Sequence, residues 1–219
     1  MTEAEEPTTA EKILLVDLCG TLYHANTTWA FLRWYFKDER SFRTFDRFGR
    51  MAPIAALNRL WPGDVRRLRA IGYLAGHQRE SLSRAANTFL DSLDVIRDVE
   101  EKVRSLADLH DRAVLVSSSL DFIVEAAAPR FGFESFHATR LAYEDGICTG
   151  RIERDLLGRK HEVIREEFGG ALITMVTDNR GDANCIPLVT KVIGVAGADR
   201  RADVNFWSTR AREVIVYHE

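Results

Sequence analysis

Lys12–Tyr23 reads KILLVDLCGTLY. Four apolar residues, Ile13 to Val16, follow one another without alternation, the pattern of a short strand buried on both faces, as in the middle of a parallel sheet. The run stops at Asp17. Gly20 and Thr21 follow, a small-residue turn able to bring backbone amides close to an anion. Open α/β sheets bind ligands beyond the carboxyl ends of their strands, so Asp17 stands at a ligand-binding position. An isolated Asp-x-x-Gly-Thr is more often a plain turn, and the remaining chain has to decide whether other groups converge on it.

Downstream, Ala113–Ser117 (AVLVS) repeats the buried-strand pattern and ends in Ser117-Ser118-Ser119. A helix follows, with Leu120, Ile123, Val124 and Ala127 on one face and Pro129 near its end. Ser119 is expected to be the N-cap of that helix. Ser135–Thr139 reads as a short strand, and Leu141–Ile152 as a hairpin turning at Glu144-Asp145-Gly146. Gly158–Phe168 reads as a helix, and Ala171–Thr177 (ALITMVT) as a strand ending at Asp178. Thr190–Val195 and Glu213–Tyr217 complete the strands. This alternation predicts an α/β fold, a mostly parallel sheet with helices on both faces.

Between the first two strands the character changes. Thr28–Lys37 is crowded with aromatic residues, Phe42, Phe45 and Phe48 recur every three positions, and Ser81–Leu93 is amphipathic, all helical signals. Pro53 and the Trp61-Pro62-Gly63 turn divide the region. Residues 22–108 carry 13 Arg and 2 Lys against 11 acidic residues, a net +4, while the whole chain is −3. A basic helical insert over an acidic body suits an anionic substrate at the seam. The expected organisation is a mobile acidic tail over 1–11, an α/β core over 12–22 and 109–219, and a helical insert over 23–108.

Composition excludes several classes. A net charge of −3 and a pI of about 6.1 give no support to nucleic-acid binding through the phosphate backbone. Cys19, Cys148 and Cys185 are odd in number and lack CxxC spacing, which points to reduced thiols in the cytoplasm. The acidic MTEAEEPTTAE start is expected to be neither signal peptide nor anchor. No apolar run approaches the roughly 18 residues needed to span a bilayer. The oligomeric state is not legible.

Three expected strands end in polar residues at one sheet edge: Asp17, Ser117 and Asp178. Asp182 adds a carboxylate four residues on, and Lys160 opens the preceding helix. Together they offer a nucleophile, a hydroxyl, a cation and oxygen ligands for Mg²⁺, which typically takes one or two carboxylates and keeps several waters.

This ordered set resembles the haloacid dehalogenase-like superfamily of phosphotransferases over nearly the whole chain. Val16-Asp17-Leu18-Cys19-Gly20-Thr21 is similar to its first motif, Val114–Ser117 to its second, and Thr177-Asp178-Asn179-Arg180-Gly181-Asp182 to its fourth. Lys160 matches the third-motif cation, with Arg159 as the competing choice. Phe131–Leu141 and Thr149–Ile152 are similar to the phosphoserine-phosphatase-like branch, and the insert matches its C1-type cap.

The resemblance implies a Rossmann-like core with an all-helical cap, acting on a small phosphorylated metabolite through an aspartyl-phosphate on Asp17. It implies Mg²⁺ held by Asp17, the backbone carbonyl of Cys19 and Asp178, with Asp182 behind or through water. Ser117, the amide of Ser118 and Lys160 would hold phosphoryl oxygens, and Asn26 would touch substrate from the start of the cap. Arg33 and Arg43 are further possible anion contacts.

Cys19 departs from the pattern, because the family's usual residue there is the acid–base Asp. A thiol has a reference pKa of roughly 8.5 against about 3.9 for Asp, and loss of acid–base help typically costs about 10²–10⁴-fold. The expectation is therefore a phosphatase or phosphotransferase for leaving groups that need no proton, or one in which Asn26, His24 or His77 replaces the acid. The alternatives are a metal-independent dehalogenase and a catalytically weak binding or regulatory protein. Thr177, in place of the family's usual Gly, is expected to shift the fourth-motif loop.

Overall fold

The computed structural model describes residues 10–49 and 64–218. The expected Pro53 break and the Trp61-Pro62-Gly63 turn lie outside them. β1 (Lys12–Val16) occupies the middle of a seven-stranded sheet with order β4-β3-β2-β1-β5-β6-β7. The other strands are β2 (Arg112–Leu120), β3 (Ser135–Glu144), β4 (Ile147–Arg154), β5 (Leu172–Thr177), β6 (Lys191–Gly197) and β7 (Glu213–Tyr217). All neighbours are parallel except the β3–β4 hairpin. That hairpin turns where expected, with Asp145 and Gly146 both at positive φ.

The unalternating apolar run of β1 is explained by cover on both faces. Leu14 and Val16 point into one core and Ile13 and Leu15 into the other, all at most 1% exposed. Behind Ile13 and Leu15 lies α7 (Lys160–Glu167), through Val163 and Ile164. The opposite core runs into the helical insert: α1 (Thr27–Tyr35), α2 (Arg40–Gly49), α3 (Val65–Gly72) and α4 (Arg79–Leu90). Its aromatic residues form one cluster. Phe31 packs on Tyr35, on Phe89 of α4 and on Phe122 of α6 (Asp121–Ala127), with ring centroids 5.0–5.5 Å apart. α5 (Arg97–Ala107), expected within the insert, packs against β1 and β7. α8 (Arg201–Ser208) covers β6. No helix among the described residues is long and apolar enough to cross a membrane.

Local differences from the sequence reading have physical causes. β2 runs through all three serines, and α6 begins at Asp121 with Leu120 as its N-cap. Ser119 is therefore not a cap. Its buried hydroxyl accepts from Thr27 Oγ1 (2.7 Å) and bonds Thr28 Oγ1 (3.2 Å). Asn26 caps α1, its Oδ1 accepting from Trp29 N (3.2 Å). β3 is twice the expected length because it continues directly into the hairpin.

Candidate active site

β1, β2 and β5 are adjacent, so their C-terminal ends bring Asp17, Ser117–Ser119 and Asp178 to one edge. Val16 pairs with Val176, which sets the loops after β1 and β5 side by side. Thr21 joins them: its Oγ1 accepts from Asp178 N (3.0 Å) and donates to Asp178 Oδ1 (3.1 Å). Gly20 is required there. Its φ is +68°, and a Cβ would lie 2.2 Å from Asp178 Oδ2. Its amide donates to the Tyr23 carbonyl (2.9 Å), so the expected use of the turn on an anion is not available at that N–H.

Asp17 is 3% exposed. Leu18 N donates to its Oδ1 (2.7 Å), and Lys160 Nζ pairs with its Oδ2 (2.8 Å). The same ammonium donates to Asp182 Oδ2 (2.8 Å), which also accepts from Thr177 Oγ1 (2.7 Å). Lys160 is thus the cation at Asp17, whereas Arg159 is exposed at the start of α7. Asp182 is thus tied to Lys160 and Thr177. Thr177 occupies the position of the family's usual Gly by bonding Asp182 and by accepting from Asn179 N (3.1 Å).

Burial raises the Asp17 carboxyl above the usual range, Lys160 opposing it and Asp182 adding to it. Burial, reinforced by the Asp17 charge, pushes Asp178 up to about 7. Burial alone would lower Lys160, but Asp17 and Asp182 more than offset it and hold the ammonium above the ordinary lysine range. Two buried carboxyls, Asp17 and Asp182, share one buried ammonium beside the half-buried Asp178, so a further cation is the natural complement.

Among the described residues no group of three or more His, Cys, Asp or Glu is arranged to hold a metal. Two carboxylates, Asp17 and Asp178, line one cavity together with Cys19. That chemistry fits Mg²⁺, which keeps much of its water shell.

Cys19 Sγ lies 3.0 Å from Thr27 Oγ1 and 3.9 Å from Ser117 Oγ. Burial and the Asp17 charge raise its pKa, so it is a neutral thiol at neutral pH. Ser117 is fully buried and accepts from Ser119 N (3.2 Å). A cavity of about 360 Å³ opens above Asp17, bordered by Cys19, His24, Asn26, Ser118, Asp178 and Arg200 among others. Ser118 borders it; Ser117 lies behind.

His24 packs edge-on against Tyr217 (4.8 Å) on the wall. His77 is removed from the cavity, held against Tyr35 and Phe36. Arg33 pairs with Asp46 (3.0 Å) inside the insert and is not an anion contact. Arg43 is not among the cavity-lining residues.

Sequence reasoning missed the second role of Thr21, the Thr27–Ser119 bond and Arg200. It also missed Trp207, whose Nε1 donates to the Asp178 carbonyl (3.1 Å). Hydroxyl pairing across about a hundred residues leaves no periodic trace. Arg200 had a weak signal, as an arginine just beyond a parallel strand at the ligand-binding edge.

The family model for haloacid dehalogenase-like hydrolases matches residues 14–186, from β1 to the segment after Asp182. The chain belongs to that family. Its fold is shared with a Bordetella pertussis Tohama I protein described as of unknown function, at 22% identity over 94% of this chain and 99% of that one, TM-score 0.68. An apo phosphoserine phosphatase superposes with TM-score 0.63, at 17% identity over 94% and 93% of the two chains. A phosphoserine phosphatase from T. onnurineus has TM-score 0.54, at 22% identity over 88% and 87%. Comparison with curated protein sequences gives no match.

Proposed function

We propose that the chain is a Mg²⁺-dependent phosphatase or phosphotransferase that acts on a small phosphorylated metabolite through Asp17. The observation that carries this reading is the Asp17 carboxylate, held by Leu18 N and Lys160 at the floor of the cavity with Asp178 beside it. An Asp17 oxygen attacks phosphorus, the bond to the leaving group breaks with its electron pair, and an aspartyl-phosphate forms. Water or a second acceptor then takes the phosphoryl group and frees the carboxylate. Lys160 opposes the effect of burial on Asp17 and faces the charge that develops on phosphoryl oxygens, as does the amide of Ser118. Asp17, the Cys19 carbonyl and Asp178 would hold Mg²⁺, which supplies charge neutralisation for the phosphoryl oxygens.

The neutral thiol of Cys19 is too weak an acid to protonate an alkoxide leaving group efficiently. The favoured substrates are therefore acyl phosphates, anhydrides and aryl phosphates, whose leaving groups depart as stable anions. Where a proton is needed, His24 is the wall side chain best suited to move it. Arg200 borders the cavity, which suits a substrate with a second anionic group. Three free thiols suit the reducing cytoplasm in which we place the protein.

The test is phosphate release from an aryl and an acyl phosphate, with Mg²⁺ and with chelator, in the native chain and in Asp17→Asn. Release that needs Mg²⁺ and disappears in Asp17→Asn is expected. No release from either substrate, or release untouched by Asp17→Asn, overturns the proposal. Halide release from a 2-haloacid without metal would favour the dehalogenase alternative.

A further inference from the structure

The register between β2 and β3 slips at the active-site edge. Val116 pairs with His137 and Leu120 with Thr139, so Ser117–Ser119 span a gap that β3 crosses with one residue. A strand segment out of register has lost ladder partners, and its backbone groups must be satisfied by other means. The Ser118 carbonyl accepts from Thr139 Oγ1 (3.0 Å) and from Arg67 Nη2 (3.0 Å). Arg67 is on α3, in the helical insert, and is 5% exposed.

The same guanidinium binds three pieces of the core. Its Nη1 donates to Asp155 Oδ1 (2.9 Å) and Oδ2 (2.7 Å), and its Nη2 also reaches Thr139 Oγ1 (3.1 Å). Asp155 follows β4, and its Oδ1 accepts from Leu157 N (3.0 Å). Leu157 and Ser118 both border the cavity above Asp17. One buried cation on the insert therefore fixes two wall residues at once.

We infer that Arg67 is a positioning residue, which seats the insert and sets the Ser118 backbone for phosphoryl binding in a single act. The inference rests on the phosphatase reading for its kinetic consequence, but its geometry is independent of turnover. A lysine can keep the charge pair with Asp155. It lacks the planar fork needed to hold Asp155 and the Ser118 carbonyl together.

Arg67→Lys and Arg67→Gln are compared with Arg79→Gln. The last removes another insert-to-core ion pair, Arg79–Glu125 at 3.1 Å, half-exposed and away from the serines. Binding of inorganic phosphate in Mg²⁺ is followed by calorimetry, together with kcat and KM on an aryl phosphate. Arg67→Lys is expected to fold with a melting temperature close to that of Arg79→Gln, yet to bind phosphate about tenfold or more weakly. Its kcat/KM should fall in proportion, and added guanidinium ion should partly restore phosphate binding in Arg67→Gln. Phosphate affinity equal in the native chain and Arg67→Lys, or absent from both, overturns the inference. Native phosphate binding without turnover overturns only the phosphatase reading, and the affinity comparison then decides this one.

Discussion

Position 19 separates what this chain shares with its family from what is its own. The thiol bonds Thr27, on the insert, and stays neutral beside Asp17. Cys19→Asp should raise kcat/KM on an alkyl phosphate by about 10² or more and change an acyl phosphate little. Equal effects on both substrates would show that position 19 is not the missing acid. Thr177 is the second distinctive residue. Its hydroxyl links Asp182 to Asn179 N, and Thr177→Val should cost about 1–3 kcal/mol by leaving buried groups unpaired. Denaturant unfolding reads that cost, and an unchanged midpoint would contradict it. Asp17, Lys160 and Asp178 were legible in sequence because each ends or begins an element with a recognisable pattern. The orientation of Asp182 toward Lys160 was not, because it depends on which buried cation is nearer in space.

At the scale of elements, the strands announced themselves through apolar runs, and the hairpin through Asp145-Gly146. The end of β2 did not. Three serines look like a turn, and bonds with Thr27, Thr28, Thr139 and Arg67 hold them in the strand. The helix boundaries of the insert were approximate, and α5, within the expected span of the insert, packs against β1 and β7. α8 makes a sharper prediction. Gly194 lets Trp207 pack closely on β6, and a Cβ there would come 2.4 Å from the Trp207 ring. Gly194→Ala should therefore destabilise by about 1–3 kcal/mol. Because Trp207 Nε1 holds the Asp178 carbonyl, Mg²⁺ affinity should fall with it. Loss of stability with unaltered Mg²⁺ affinity would mean that α8 does not support the cation site.

For the molecule as a whole, the buried acidic cluster ties stability to pH and to cations. Folded Asp178 holds its proton up to about 7, whereas the ordinary value is 3.8. Its contribution to the metal-free fold is thus complete below the ordinary value and is lost as pH rises through about 7. A divalent cation favours the ionised form, so Mg²⁺ should raise Tm more at about pH 8 than at about pH 5.5. Equal shifts at the two pH values, followed by thermal unfolding, would contradict a cation bound at Asp178.

The central place of β1 has one more consequence. Ser118 lies on the β2 side of Asp17 and Asp178 on the β5 side. Neighbouring strands are about 4.8 Å apart, so the sheet itself acts as a ruler, with the proposed seats of the anion and the cation one division to either side of Asp17. Short side chains suffice at every mark. Chemistry can therefore be exchanged at a mark, as at Cys19, without the spacing between marks being disturbed.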